Sequence, residues 1–142
     1  MAKKTTLQYY EAIGRRKSAV ARVRLYVVDK SGTVSISGVS IKKGELVINK
    51  KHVKENGYFE PLKLTDNDKR FAISVLVKGG GKSGQLDAIV HGLSRALEKV
   101  DRDQYRNTLK KAGFLKRDSR VKERRKVGRG GKARRQKQSP KR

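Results

Sequence analysis

Phe71-Ala72-Ile73-Ser74-Val75-Leu76-Val77-Lys78-Gly79-Gly80-Gly81-Lys82-Ser83-Gly84-Gln85-Leu86 carries a strand, a glycine loop and the opening of a helix in one stretch. Phe71, Ile73, Val75 and Val77 recur with the period of two that points one face of a strand inward. Beyond the glycines, Leu86, Ile89, Val90, Leu93, Leu97 and Val100 recur at helical spacing and form one apolar stripe. This is the central strand and the main helix of a mixed fold.

The flanking segments extend it. Ala19, Ala21, Val23, Leu25 and Val27 share one face of a second strand, and Arg22, Arg24 and Tyr26 the other, so its outer face reads as cationic. Tyr9-Tyr10 reads either as an edge strand, which we prefer, or as a base-stacking pair. Asp29-Lys30-Ser31-Gly32 signals a turn. Thr33–Ser37 and Glu45–Asn49 are short strand candidates joined by a Gly/Lys-rich link. Asn49 is expected to cap a short helix running to Lys54 and ended by Gly57, and Pro61 with Thr65–Asp68 to mark a loop. Asp101 and Gln104 have the capping spacing for a last helix with Tyr105, Leu109 and Ala112 inward. Gly113 suits its C-terminal stop, with Phe114 and Leu115 folding back. Residues 1–115 are therefore expected to form one two-layer α+β domain, strands first and two helices on one face.

Charge narrows the function. The 142 residues hold 38 Lys+Arg against 13 Asp+Glu, a net charge of +25, with 35% hydrophobic residues and neither Cys nor Trp. No disulfide or thiolate metal site is possible, and two His without clustered carboxylates do not suggest zinc. The longest aliphatic or aromatic run, Leu25–Val28, is far below the ~18–20 residues of a spanning helix. The N-terminus has no apolar signal region, so a soluble intracellular protein is expected. Such a charge repels itself unless a polyanion neutralises it. Nucleic acid fits better than a membrane surface, because the most basic stretch has no apolar helical face.

That stretch is 116–142, with 14 Lys/Arg against Asp118 and Glu123, and only Val121 and Val127 as larger apolar residues. It cannot offset the ~1–2 kcal/mol per residue of backbone ordering, so it is expected to order only on RNA. Residues 1–115 keep 24 basic against 11 acidic residues, so the body is itself expected to bind. A second basic knot, Arg15-Arg16-Lys17, lies near its N-terminus.

The glycine loop invites a nucleotide reading. Gly79, Gly81 and Gly84 match the dinucleotide spacing, but no second parallel strand ending in an acid follows. Gly81-Lys82-Ser83 resembles the end of a P-loop, yet position 76, where its first glycine belongs, is Leu. What survives is physics: backbone amides at a helix start beside Lys78, Lys82 and Ser83 suit a phosphate, here of an RNA backbone. A tight turn alone is the plainer alternative. His91 and Arg95 lie one turn apart on the side opposite the apolar stripe, facing either solvent or RNA. His52, in Lys50-Lys51-His52, reads as solvated surface, and no residue set suggests catalysis.

Several motifs together resemble a known family. Tyr9-Tyr10-Glu11-Ala12-Ile13-Gly14-Arg15-Arg16-Lys17-Ser18-Ala19, the 78–85 loop, Ala88–Leu97, Lys111–Asp118, Glu123–Gly128 and the terminal Lys141-Arg142 are similar, in order, to the universal S-nine family of small-subunit ribosomal proteins. The resemblance implies a compact βαβ-type domain, like domain 2 of ribosomal protein S-five, with a long basic C-terminal extension. It implies no enzyme activity and no cofactor, but binding to 16S-type rRNA in the subunit head beside neighbouring head proteins, in the cytoplasm or in an organelle. Matched by position, rRNA contacts would be Arg15, Arg16, Lys17, Ser18, Lys78, Gly79, Gly80, Gly81, Lys82, Ser83, His91 and Arg95. The tail would add Lys116, Arg117, Arg120, Arg124, Arg125, Lys126, Arg129, Lys132, Arg134 and Arg135. Lys141 and Arg142 would reach the anticodon stem-loop of peptidyl-site tRNA. Two departures stand out: Ser139-Pro140 replaces the usual aromatic-Ser pair, and about Lys30 to Lys43 looks inserted. An architectural nucleic-acid-binding protein outside the ribosome and a phosphate-handling enzyme are the competing classes.

Overall fold

In a computed structural model of the chain, described for residues 8–28, 32–36, 38–54 and 56–128, the central strand is β7, Phe71–Lys78. It lies in the middle of a five-stranded sheet with β1 (Tyr9–Arg16), β2 (Ala19–Val27), β5 (Leu46–Ile48) and β6 (Lys51–Val53), in the order β1-β2-β7-β5-β6. All neighbours are antiparallel except β5 and β7. That parallel pair is linked through β6, a 3-10 turn at Asn56–Phe59 and the short helix α1, Glu60–Leu64. A two-stranded hairpin, β3 (Thr33–Ile36) and β4 (Val39–Lys42), stands apart. Helices α2 (Lys82–Val100) and α3 (Arg102–Lys111) close the chain's ordered layers. The two-layer α+β expectation is met.

The larger core lies between sheet and helices. Val23, Leu25, Ile73 and Val75 are buried with Ile89, Leu93 and Leu97 of α2 and with Tyr105 and Leu109 of α3. Each such side chain contributes roughly 1.5–3 kcal/mol through removal from water. Gly14 and Gly92 permit the close approach of β1 and α2: a Cβ on Gly14 would lie 1.9 Å from the Ala88 carbonyl oxygen, and one on Gly92 2.7 Å from Val23 Cγ2. The Asp101 carboxylate accepts from the Gln104 amide at 3.0 Å, the expected cap of α3. Gly113, with φ +80°, ends that helix, and the Phe114 amide turns back to the Leu109 carbonyl at 3.1 Å.

The other face of the sheet departs from expectation. It is not simply a solvated cationic surface, because the β3–β4 hairpin packs on part of it. Tyr26, Val28, Val47 and Ala72 are buried there with Val34 and Ile41 of the hairpin. The apparent insertion is thus a lid over a second, smaller core. Val27, at the end of β2, is exposed rather than inward.

Four local readings are corrected. Asn49 does not cap a helix. Asn49 and Lys50, at φ +47° and +69°, form the two-residue turn of the β5–β6 hairpin, a conformation Asn tolerates. The Asn49 side chain bonds the Val77 amide and carbonyl at 2.9 and 3.1 Å, prolonging the β5–β7 pairing by one step. The Gly/Lys-rich link contains β4. Pro61 lies in the first turn of α1, where its missing N–H costs nothing. Ala112, expected inward, is the exposed C-cap of α3.

Candidate nucleic-acid interface

The two basic motifs far apart in sequence meet at one end of the sheet. The β1–β2 turn is Lys17-Ser18, with Lys17 at φ +51°, and Gly79 and Gly80 lie against it at φ +72° and +69°. A Cβ on Gly79 would stand 2.5 Å from the Ser18 carbonyl oxygen, and one on Gly80 2.8 Å from Ala19 Cβ. Both conformation and crowding therefore demand glycine at these positions. The result places Lys17, Ser18, Lys78, Lys82 and Ser83 around the start of α2.

That start is open. Gly81, extended at φ −97°, is the N-cap and supplies no side-chain acceptor, and no acid stands in the first turn. Gln85 returns its side-chain amide to the Gly79 carbonyl at 3.1 Å, bracing the loop. The first amides of a nineteen-residue helix, with two lysines beside them, present fixed positive potential to an anion.

His91 and Arg95 face the open edge of β1 rather than bulk solvent. The His91 Nδ1 accepts the Arg15 amide at 3.4 Å, Arg95 Nη1 donates to the Ile13 carbonyl, and Lys99 Nζ donates to the Glu11 carbonyl at 2.7 Å. Residues spaced by four along α2 thus serve backbone groups spaced by two along β1. An unpaired sheet edge, which would otherwise be open to a foreign strand, is closed by an imidazole and two cations. Burial, and then the charge of Arg95, push the His91 imidazole below its ordinary pKa. Lys99 was not singled out from the sequence; its spacing of four from Arg95 was the available signal.

Along this edge runs an open cleft of about 380 Å³, lined by Arg15, His91, Arg95, Lys99 and Arg117, with Glu11 as the acid on its wall. Arg117 belongs to the segment after α3, which returns across the body here. A second basin of about 270 Å³ adjoins it, with Arg15, Arg16, His91 and Lys116 on its walls but also the acids Glu60, Asp87 and Asp118. Arg16 also lines that basin, but its side chain is only 13% exposed and is engaged by Asp87 and Asp118. Arg124 and Arg125 are exposed, and Lys126 lies 3.9 Å from Glu123. Arg129, Lys132, Arg134, Arg135, Lys141 and Arg142 lie outside the described residues. His52 is exposed, with its Nδ1 3.5 Å from Glu45, and takes no part in the cleft. No described helix is long and apolar enough to cross a membrane.

The profile of the family described as "Ribosomal protein S9/S16" matches residues 14–142. The chain belongs to that family. Among its relatives is a protein of Anaeromyxobacter sp. (strain K), 45% identical over 125 residues, covering 88% of this chain and 91% of the relative. One from Desulfotalea psychrophila is 41% identical over 122 residues, covering 86% and 88%. One from Renibacterium salmoninarum is 44% identical over 117 residues, covering 82% and 66%. Each is named "Small ribosomal subunit protein uS9". In this S9-family chain, the glycine loop meets the β1–β2 turn at one end of the sheet, and the β1–α2 cleft carries Arg15, Arg95, Lys99 and Arg117.

Proposed function

We propose that this protein is a structural constituent of the small ribosomal subunit that binds 16S-type rRNA at the 78–83 loop and along the β1–α2 cleft. Membership of the S9/S16 family supports the ribosomal role. The single observation that carries the location is the convergence of Lys17, Ser18 and the open amides of α2 at one point. There the ligand is a backbone phosphate, held by amide donors and cations without reading sequence. Arg15, Arg95, Lys99 and Arg117 neutralise further phosphates along the cleft.

The basic segment from Lys116 onward supplies the second part. Beyond residues 116–120, which already lie on the body, Arg124, Arg125, Lys126, Arg129, Lys132, Arg134 and Arg135 follow rRNA as an extended strand that orders as it binds. Lys141 and Arg142 then steady the anticodon stem-loop of peptidyl-site tRNA, two cations that accept any elongator tRNA because they touch its backbone. The protein works in the ribosome of the cytoplasm, beside other head proteins, and performs no catalysis.

The test is a salt titration of the full chain on a small-subunit head rRNA fragment and on duplex DNA of equal length. Binding to rRNA should be the tighter, with a log–log slope that falls by about 0.7–0.9 for each phosphate-contacting cation removed. Equal affinity for duplex DNA would overturn the reading in favour of a general architectural protein.

A further inference from the structure

The stretch from residue 116 onward is strongly basic, yet its first acid is placed with care. Arg16 Nη2 lies 3.0 Å from Asp118 Oδ2, and Arg16 Nε 3.3 Å from Asp87 Oδ2 on α2. Arg16 Nη1 donates to the carbonyls of Asp118 and Arg120, at 3.3 and 2.8 Å. Asp118 in turn accepts the Arg120 amide at 2.9 Å and holds the Arg120 guanidinium through both oxygens, at 2.8–3.1 Å. All three nitrogens of the Arg16 guanidinium are thus committed within the chain.

We propose that Arg16, Asp87, Asp118 and Arg120 form a pin that fixes where the basic tail leaves the body, and that Arg16 is a positioning residue rather than a phosphate contact. Phe114 and Leu115 pack against the core, but beyond them tail and body are both strongly cationic and repel one another, so 117–120 need a specific hold to stay on the surface. The pin overcomes that repulsion locally with two carboxylates. It holds Arg117 at the wall of the β1–α2 cleft and starts the tail from a defined point. Its two cations and two anions cancel, so it adds little to the field that draws a polyanion. Its neighbours Arg15 and Lys17, both exposed, are the free cations of the knot. The Asp118 carboxyl is held well below the usual carboxylate range, first by the Arg120 side chain.

This inference rests on the rRNA-binding reading only for the purpose the tail serves, and the experiment separates the two. Hydrogen exchange is measured on the full-length free chain carrying Asp118→Asn, Arg16→Gln or both. Exchange at the Arg120 amide, which the Asp118 carboxylate accepts at 2.9 Å, should rise roughly tenfold or more in each single variant, as expected for loss of a charge-assisted bond, and no further in the double. Asp118 lies outside the core, so Asp118→Asn reports even if Arg16→Gln does not fold. On the rRNA fragment, Arg16→Gln should leave the salt slope unchanged, while Lys17→Gln lowers it by about 0.7–0.9. Unchanged exchange in Asp118→Asn, additive effects in the double, or a slope loss in Arg16→Gln equal to that of Lys17→Gln would overturn the pin. Absence of rRNA binding by the parent chain would overturn the proposed function and leave the exchange result to decide the pin.

Discussion

Replacing Gly14 by Ala is the smallest change that should do large damage. The added Cβ would lie 1.9 Å from the Ala88 carbonyl oxygen and 2.4 Å from the Gly92 amide nitrogen, both backbone atoms of α2. Ordinary contact begins near 3.4 Å, so the helix must withdraw by about 1.5 Å along β1. Overpacking of a side-chain kind costs typically ~1–3 kcal/mol, and a backbone obstacle sits at or above the top of that range. The same withdrawal stretches the Arg95–Ile13, Lys99–Glu11 and Arg15–His91 bonds, each worth about 0.5–1.5 kcal/mol. A total of about 4.5 kcal/mol or more follows, a large part of the ~5–15 kcal/mol a domain possesses. Urea unfolding followed by circular dichroism measures it, with Gly57→Ala as the control. There the new Cβ meets only a Leu86 methyl at 3.4 Å, and the midpoint should stay within ~1 kcal/mol of the parent. A Gly14→Ala midpoint as close to the parent as that of Gly57→Ala would refute the packing argument.

Gly81→Asp should move stability and RNA binding in opposite directions: the carboxylate caps α2 and adds a few tenths of a kcal/mol, while it occupies the amides a phosphate needs. Parallel urea and rRNA-binding titrations check both signs, and unchanged RNA affinity would sink the phosphate cradle. Because the folded His91 has its pKa lowered, the unfolded chain binds the proton first, and stability should fall as pH drops through about 6.5. That pH slope should shrink in His91→Gln, measured by denaturation between pH 7.5 and 5.5. Deleting Lys141 and Arg142 should leave rRNA docking intact and weaken peptidyl-site tRNA occupancy, measured by filter binding to reconstituted subunits; equal occupancy would remove the tip from the account.

The central elements were legible because their periodicity was undiluted. The β2 and β7 alternations and the α2 stripe each face one large core, so burial writes itself into the pattern. The β3–β4 hairpin was half seen. Val34, Ile36, Val39 and Ile41 do alternate, but a four-residue strand beside glycines carries little signal. Its consequence, burial of Tyr26, depends on a contact distant in sequence. Asn49 misled for a physical reason: the same short polar side chain serves as a helix cap and as a residue of positive φ. For the interface, residue types were readable but partnership was not. Lys17 and Gly79 are neighbours only through strand pairing, and Arg16 sits inside the basic knot while its partner Asp118 lies 102 residues on. Charge runs show that a polyanion is wanted. They do not show which cations are already spent within the chain.

The most direct test of the account is ultraviolet crosslinking of the full chain in lysate, with sequencing of the attached RNA and mapping of the linked peptides. The account predicts small-subunit rRNA attached through peptides that contain Lys17-Ser18 and Lys78–Ser83. Diffuse RNA or DNA, or rRNA attached with those peptides consistently unmodified, would contradict it.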